Sequence, residues 1–219
     1  MRSSVIAISL VAASSLTAQT PAPAPAVAPA AWTQPAGWTI QLDAKDAAKT
    51  AADTKFQTMG PGFHVTSGPA AIYYRASDMA KGAYTVKATF GQRVRPAMGH
   101  PEAYGVFIGG ADLADNGKQS YLYLVVRDDG MFYVAHRAGA DVHKISDWSA
   151  NDAVKKADDK GSASNEVAIQ VTADSLFMMV NGQKVKAIAK GGMVRTDGQF
   201  GLRVNHGLNV HIGNFGMSQ

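Results

Sequence analysis

The segment Ser120–Arg137, SYLYLVVRDDGMFYVAHR, constrains this chain more than any other. Two runs rich in β-branched and aromatic residues meet at Asp128-Asp129-Gly130, and aspartate with glycine between two such runs reads as a β-hairpin. A three-residue turn with its glycine in the left-handed region sets Arg127 opposite Met131. Successive side chains then point to opposite faces. Leu122, Leu124, Val126, Phe132 and Val134 fall on one face, and Tyr121, Tyr123, Arg127, Tyr133 and Arg137 on the other. The first set belongs against a core, and the second is a polar, aromatic surface.

The same logic runs along the rest of the chain. Strands are predicted over Trp38–Leu42, Phe63–Thr66, Ala71–Ala76, Tyr84–Val94, Tyr104–Gly109, Tyr121–Arg127, Met131–Arg137, Val167–Val171, Leu176–Val180, Phe200–Asn205 and Leu208–Ile212. The unit Val167–Val185 closes at Asn181-Gly182, a turn pair. In Tyr84–Val94, Tyr84, Val86, Ala88 and Phe90 share the core-facing side. Near the C-terminus Leu202, Val204, Val210 and Ile212 alternate with Arg203, Asn205, Asn209 and His211. Asp43–Lys55, rich in alanine and charge, predicts a short helix or an ordered loop, and Ala150–Ser164 reads as a polar connection. No long amphipathic helix and no fixed-period repeat occurs. The expected class is all-β: an antiparallel sandwich of two sheets.

The N-terminal residues read as targeting sequence rather than fold. Arg2 supplies a positive n-region, Val5–Ala13 an apolar stretch, and Leu16-Thr17-Ala18 small residues at a cleavage site. The apolar stretch is shorter than the roughly 20 residues a membrane-spanning helix needs. Export through a signal peptide over 1–18 is therefore expected, to the periplasm or the extracellular space, with no membrane span. Residues 19–36 begin QTPAPAPAVAPAA, which denies the chain both ladder donors and bulky apolar groups and predicts an extended tether. The folded domain is expected over 37–219.

Composition narrows the function. The 219 residues contain no cysteine, so neither disulfides nor thiolate chemistry contributes. The formal charge of +4 is dispersed, with no basic run, which argues against a nucleic-acid partner. No G-x-S-x-G elbow and no phosphate-binding glycine loop is present. The two glutamates, Glu102 and Glu166, do not form the spaced pair that glycoside hydrolysis uses. Asp128 and Asp129 are explained by the turn they precede. Asp112, Asp115 and Asn116 could offer oxygen to calcium, but not in EF-hand spacing. His64, His100 and His143 show no zinc-ligand spacing, His136 either turns inward beside Val134 or caps a strand end, and His206 and His211 flank a turn. No metal site and no cofactor are predicted.

What remains is the Tyr/Arg/Asn face. Aromatic rings contact the apolar C–H groups of sugars, and forked donors satisfy hydroxyls. The predicted ligand-binding residues are Tyr121, Tyr123 and Tyr133 for apolar contact, and Arg127, Arg203 and Asn205 for hydroxyl recognition. The alternative is an ordinary solvated face. Trp38, in an alternating strand, is expected in the core.

In order, Ala103-Tyr104-Gly105-Val106-Phe107, Tyr121-Leu122-Tyr123 running into Arg127–Phe132, Asn165-Glu166-Val167, Val180-Asn181-Gly182, Gly198–Leu202 and the terminal Asn214-Phe215 resemble the concanavalin A-like lectin/glucanase superfamily. The likeness is to its laminin-G-like jelly rolls, near the 3-keto-disaccharide hydrolase-domain branch, and covers about Gly62–Met217. The resemblance implies two curved sheets whose concave side binds glycans, edge loops that sometimes hold calcium, and a tryptophan, here Trp148, packed at a sheet edge. The functional expectation is glycan recognition or an accessory role in glycan processing. A glycoside hydrolase of the 3-keto-disaccharide type and a structural envelope protein without a small ligand are the alternatives. Residue pattern leaves the sugar and the oligomeric state open.

Overall fold

Alternation is converted into strands throughout the computed structural model, which describes residues 32–43, 54–96, 100–191 and 194–219. The stretch read as a signal peptide, 1–18, the stretch read as a tether as far as Ala31, and 44–53, the bulk of the stretch read as helix or loop, lie outside the described residues. The strands are β1 (Trp38–Leu42), β2 (Lys55–Met59), β3 (Gly62–Thr66), β4 (Ala71–Ala80), β5 (Tyr84–Gln92), β6 (Ala103–Ala111) and β7 (Ser120–Arg127). They continue as β8 (Met131–Ala138), β9 (Asp141–Ala150), β10 (Ala163–Val171), β11 (Ser175–Val180), β12 (Gln183–Ala189), β13 (Gly198–Val204) and β14 (Asn209–Ser218). No helix occurs among the described residues, and so none is long and apolar enough to cross a membrane.

Two seven-stranded antiparallel sheets result, one ordered β1-β4-β13-β6-β7-β8-β9 and the other β12-β11-β10-β5-β14-β3-β2. The sequence expectation of a two-sheet sandwich holds, and the chain changes sheet between β1 and β2, β3 and β4, β4 and β5, β5 and β6, β9 and β10, β12 and β13, and β13 and β14. In the β7–β8 hairpin Val126 pairs with Phe132, and the Gly130 N–H donates to the Arg127 carbonyl at 3.3 Å, closing a three-residue turn with Gly130 at φ 90°. Asn181 and Gly182 both adopt positive φ between β11 and β12, the conformation a two-residue type I′ hairpin demands.

Three strands were not anticipated, namely β2, β9 and β12. All three are sheet edges, where one flank has no partner strand and burial is slight. The Ala150–Ser164 connection is correspondingly shorter, since Ala150 ends β9 and Ala163 opens β10. It is not purely polar either: Ala153 and Val154 are buried in the core. Asn165 anchors it by accepting from the Lys155 N–H and Asn181 Nδ2, both at 2.8 Å, and by donating to the Lys155 carbonyl and the Tyr104 hydroxyl at 3.1 and 3.2 Å.

The core lies between the sheets. Tyr104, Leu122, Leu124, Val126, Phe132, Val134, Leu202 and Val204 from one meet Val86, Phe90, Ile169, Met178, Val210 and Ile212 from the other. Phe90 and Tyr104 stack across the interface with centroids 5.0 Å apart. Trp38 is buried edge-on against Phe56 and Phe63.

Two histidines give the fold an acid sensitivity. Burial holds the His64 and His136 imidazoles below the ordinary histidine value, with His211 and His143 respectively adding repulsion. The folded state therefore binds fewer protons than the unfolded chain below about pH 6.5. Their contribution to stability is complete above that pH and is lost as pH falls through the lowered values. Thermal melts across this range are expected to show a falling midpoint, and a His64→Gln/His136→Gln double variant is expected to lose less on acidification.

Candidate binding cleft

The outward face of the β1–β9 sheet carries a second cluster of buried residues: Ile72, Tyr74, Ala103, Phe107, Leu113, Tyr121, Tyr123, Val125 and Ala135, with Tyr133 and Trp148 packed against it. Alternation put the β7 tyrosines on this side, opposite Leu122 and Leu124, and there they lie. An aromatic run crosses the strands toward the β9 edge, with centroid separations of 5.1 Å for Phe107–Tyr121, 5.7 Å for Tyr121–Tyr123, 6.1 Å for Tyr123–Tyr133 and 5.0 Å for Tyr133–Trp148.

A cleft of about 460 Å³ opens on this face, lined by Asp43, Asn116, Gln119, Tyr123, Arg137, Gly139, Ala140, Val142 and Arg203. Its floor is a charge cluster. Arg203 on β13 is 6 % exposed and donates from Nη1 and Nη2 to the two carboxylate oxygens of Asp43, each at 2.7 Å. Asp43 follows β1, and its backbone N–H is tied to the Ala70 carbonyl at 2.9 Å. Arg137 on β8 reaches the same carboxylate at 3.1 Å through Nη2. Two guanidiniums share one carboxylate here, and the Nε atoms of both arginines are buried with no hydrogen-bond partner among the described residues.

The electrostatics follow from this packing. Burial alone would disfavour the Arg203 charge, but Tyr121, Asp43 and Tyr123 outweigh it and raise its pKa above the ordinary arginine value. Burial likewise raises the Tyr123 hydroxyl well above the usual phenol value, so it remains a neutral donor at any physiological pH.

The six predicted residues do not form one open surface. Tyr123 and Arg203 line the cleft. Tyr121 lies beneath it at 1 % exposure, its hydroxyl 3.5 Å from Arg203 Nη1, so its ring face is unavailable to a ligand and its place is in the floor. Tyr133 stands between Tyr123 and Trp148, outside the cleft lining. Arg127 stacks 4.2 Å over the Trp148 ring, is held by Asp129 and lies outside the cleft lining. Asn205 sits past the end of β13, its N–H given to the Ala103 carbonyl and its carbonyl taken by the Ser67 hydroxyl, away from the cleft.

Seven of the nine cleft residues lie outside the sequence reading of the site, four of them with polar or charged side chains: Asp43, Asn116, Gln119 and Arg137. Arg137 was placed on this face but not in the site. Asp43, Asn116 and Gln119 come from loops where no periodicity operates, and the one signal for Asp43 was the need of a buried arginine for a carboxylate. Of the calcium candidates, Asp115 accepts from the Gly117 N–H at 2.9 Å and pairs with Lys118 at 3.1 Å, while Asn116 belongs to the cleft.

No protein-family profile matches the sequence, and no curated protein matches it. Solved structures do. A carbohydrate-binding module, CBM66, from Bacillus subtilis superposes with a TM-score of 0.60 at 12 % identity, covering 84 % of this chain and 96 % of that one. A protein of unknown function with a galectin-like fold from the same organism gives 0.59 at 14 % identity, covering 83 % and 89 %. An alginate lyase, A1-II′, gives 0.50 at 15 % identity, covering 83 % and 93 %. Together with the sheet order, these likenesses establish the class: the protein has the concanavalin A-like jelly-roll fold. At such identities they establish the fold alone.

Proposed function

We propose that the domain recognises carbohydrate, and that the cleft over Asp43, Arg137 and Arg203 is where it does so. One observation carries this reading: a buried, pre-ordered donor cluster opens into a cleft of sugar size beside an aromatic ring. Fixed guanidiniums satisfy vicinal hydroxyls without first losing side-chain freedom, and Tyr123 offers apolar contact. Structural likeness to a carbohydrate-binding module supports the reading. Asp43 is the one carboxylate among the described lining residues, and it is already shared by two arginines. Binding therefore suits the cleft better than two-carboxylate hydrolysis of the kind glycosidases perform.

The same proposal places the domain outside the cytoplasm, with 1–18 removed on export and residues from Gln19 serving as the tether. N-terminal sequencing of the mature protein tests this, and retention of Met1 would refute it.

A panel of neutral and uronate-bearing oligosaccharides, read by calorimetry, tests the cleft. Saturable binding is expected, weakened about 10- to 100-fold in Arg137→Met, as loss of a charged hydrogen bond worth about 1.5–3 kcal/mol requires. Tyr123→Leu should also weaken it, while Lys186→Ala on β12 of the other sheet should not. Silence of the folded wild type across the panel would reject carbohydrate recognition. Binding indifferent to both cleft variants would reject the site.

A further inference from the structure

The tertiary structure assembles one constellation that no spacing in the sequence announced. His100 stands in the β5–β6 connection, Glu102 immediately before β6, and His206 in the β13–β14 turn. His100 Nδ1 is 2.9 Å and His206 Nε2 3.0 Å from the same oxygen, Glu102 Oε1. All three ligand atoms lie within 4.8 Å of one another. The carboxylate side chain is 5 % exposed, whereas the imidazoles are 53 % and 36 % exposed. None of the three lines the cleft described above.

We propose that His100, Glu102 and His206 form a binding site for a divalent first-row transition metal, with zinc the best match. The argument rests first on donor chemistry: two imidazole nitrogens and one carboxylate oxygen suit zinc and its neighbours, whereas calcium takes six to eight oxygens. Geometry is the second ground. Bonds of about 2.0–2.2 Å in a tetrahedron separate neighbouring ligand atoms by roughly 3.3–3.5 Å. The two histidine–carboxylate separations, 2.9 and 3.0 Å, reach that value with shifts of a few tenths of an ångström, and the two imidazole nitrogens stand within 4.8 Å of each other.

Pre-ordering is the third ground. The Asn205 N–H donates to the Ala103 carbonyl at 2.9 Å, which locks the residues adjoining His206 and Glu102 across the β6–β13 pair. The Gly207 N–H is shared between the Ser67 and Gly68 carbonyls, at 3.1 and 3.2 Å, fixing the turn that presents His206. Two of the three ligands thus sit on cross-linked backbone, and His100 closes from the loop.

Three protein ligands leave a tetrahedral ion one open position. Beside the triad a pocket of about 170 Å³ is lined by Arg95, Pro96, His100, Pro101 and Asp128. Asp128 is buried there, with Oδ2 accepting from Gln92 Nε2 at 3.0 Å and Oδ1 lacking a hydrogen-bond partner among the described residues. Asp128 and His100 thus line one pocket. The arrangement ties the β5–β6 loop to the β13–β14 turn and leaves a solvent-facing coordination position between them.

Calorimetric titration of the chelator-treated full chain with zinc chloride tests the site. One saturable event per chain and a rise in the thermal midpoint are expected, with no comparable response to calcium. His206→Ala and Glu102→Gln should each weaken zinc binding by more than about tenfold, while His211→Ala should leave it unchanged. Far-UV circular dichroism of the metal-free variants separates loss of ligation from loss of folding, and His100→Ala, altering an exposed loop residue, provides a variant whose folding is least at stake. No saturable zinc binding by the folded wild type would overturn the proposal, as would calcium binding in zinc's place. Zinc binding of wild-type strength in both His100→Ala and His206→Ala would do the same.

Discussion

Arg203→Leu is expected to lower the unfolding free energy by about 3–5 kcal/mol, a midpoint shift on the order of 10 °C for a domain of this size. The cause is the partner left behind. Asp43 is 5 % exposed, and removing Arg203 takes away two hydrogen bonds of 2.7 Å, leaving Arg137, at 3.1 Å through a single oxygen, as the nearer guanidinium. A carboxylate held in so little water then loses the bidentate partner that offsets most of its desolvation, and the single contact to Arg137 does not replace two parallel hydrogen bonds. Arg203→Lys should recover only part of the loss, because a single ammonium cannot donate in parallel to both oxygens. Urea unfolding measures both variants. A loss below about 1 kcal/mol in Arg203→Leu would mean that the cluster is solvated and the cleft floor far less fixed than described.

Gly105→Ala is expected to be at least as damaging, by about 3 kcal/mol or more, and to shift expression toward insoluble protein. Gly105 lies mid-strand in β6, paired with Arg203 on one side and Val125 on the other. A Cβ there would stand 1.9 Å from the Leu124 carbonyl oxygen and 2.9 Å from both the Leu124 carbonyl carbon and Val125 Cα. All three are backbone atoms of a central strand hydrogen-bonded on both sides, so relief requires moving the sheet rather than a side chain. Gly213→Ala in β14 is the control. Its Cβ would meet nothing within 4 Å, and its melting midpoint should stay close to wild type. Equal melts for the two variants would contradict the close approach at Gly105.

The strands that were legible are those with a buried face. Tyr84, Val86, Ala88 and Phe90 alternate as read and are all buried, because a one-residue slip would turn the whole set to water. β2, β9 and β12 were not legible. KFQTM, DVHKISDWSA and QKVKAIA bury few side chains, and an edge strand relies on backbone pairing with its neighbour, which leaves little mark in side-chain pattern. β1 is also an edge, and it was found because Trp38 marks its buried side.

The site divides along the same line. Periodicity assigned Tyr121, Tyr123, Tyr133 and Arg137 to the outward face, since the pleat alone decides that. How deep each would lie was decided by packing. Tyr121 is covered by its neighbours, whereas Trp148, from an edge strand that periodicity did not reveal, is stacked between Tyr133 and Arg127.

By itself, the sequence determined the all-β class, the hairpin at Gly130 and the two faces of the central strands, because each depends on residues near one another in the chain. Only the tertiary structure decided that Asp43 would meet an arginine 160 positions later, and that His206 would join His100 on Glu102. Those pairings come from strand order across a sheet, in which β1 and β13 flank β4 while β6 lies beside β13. Burial then makes each encounter consequential, since a charge removed from water must find its counterpart wherever the fold brings one within reach.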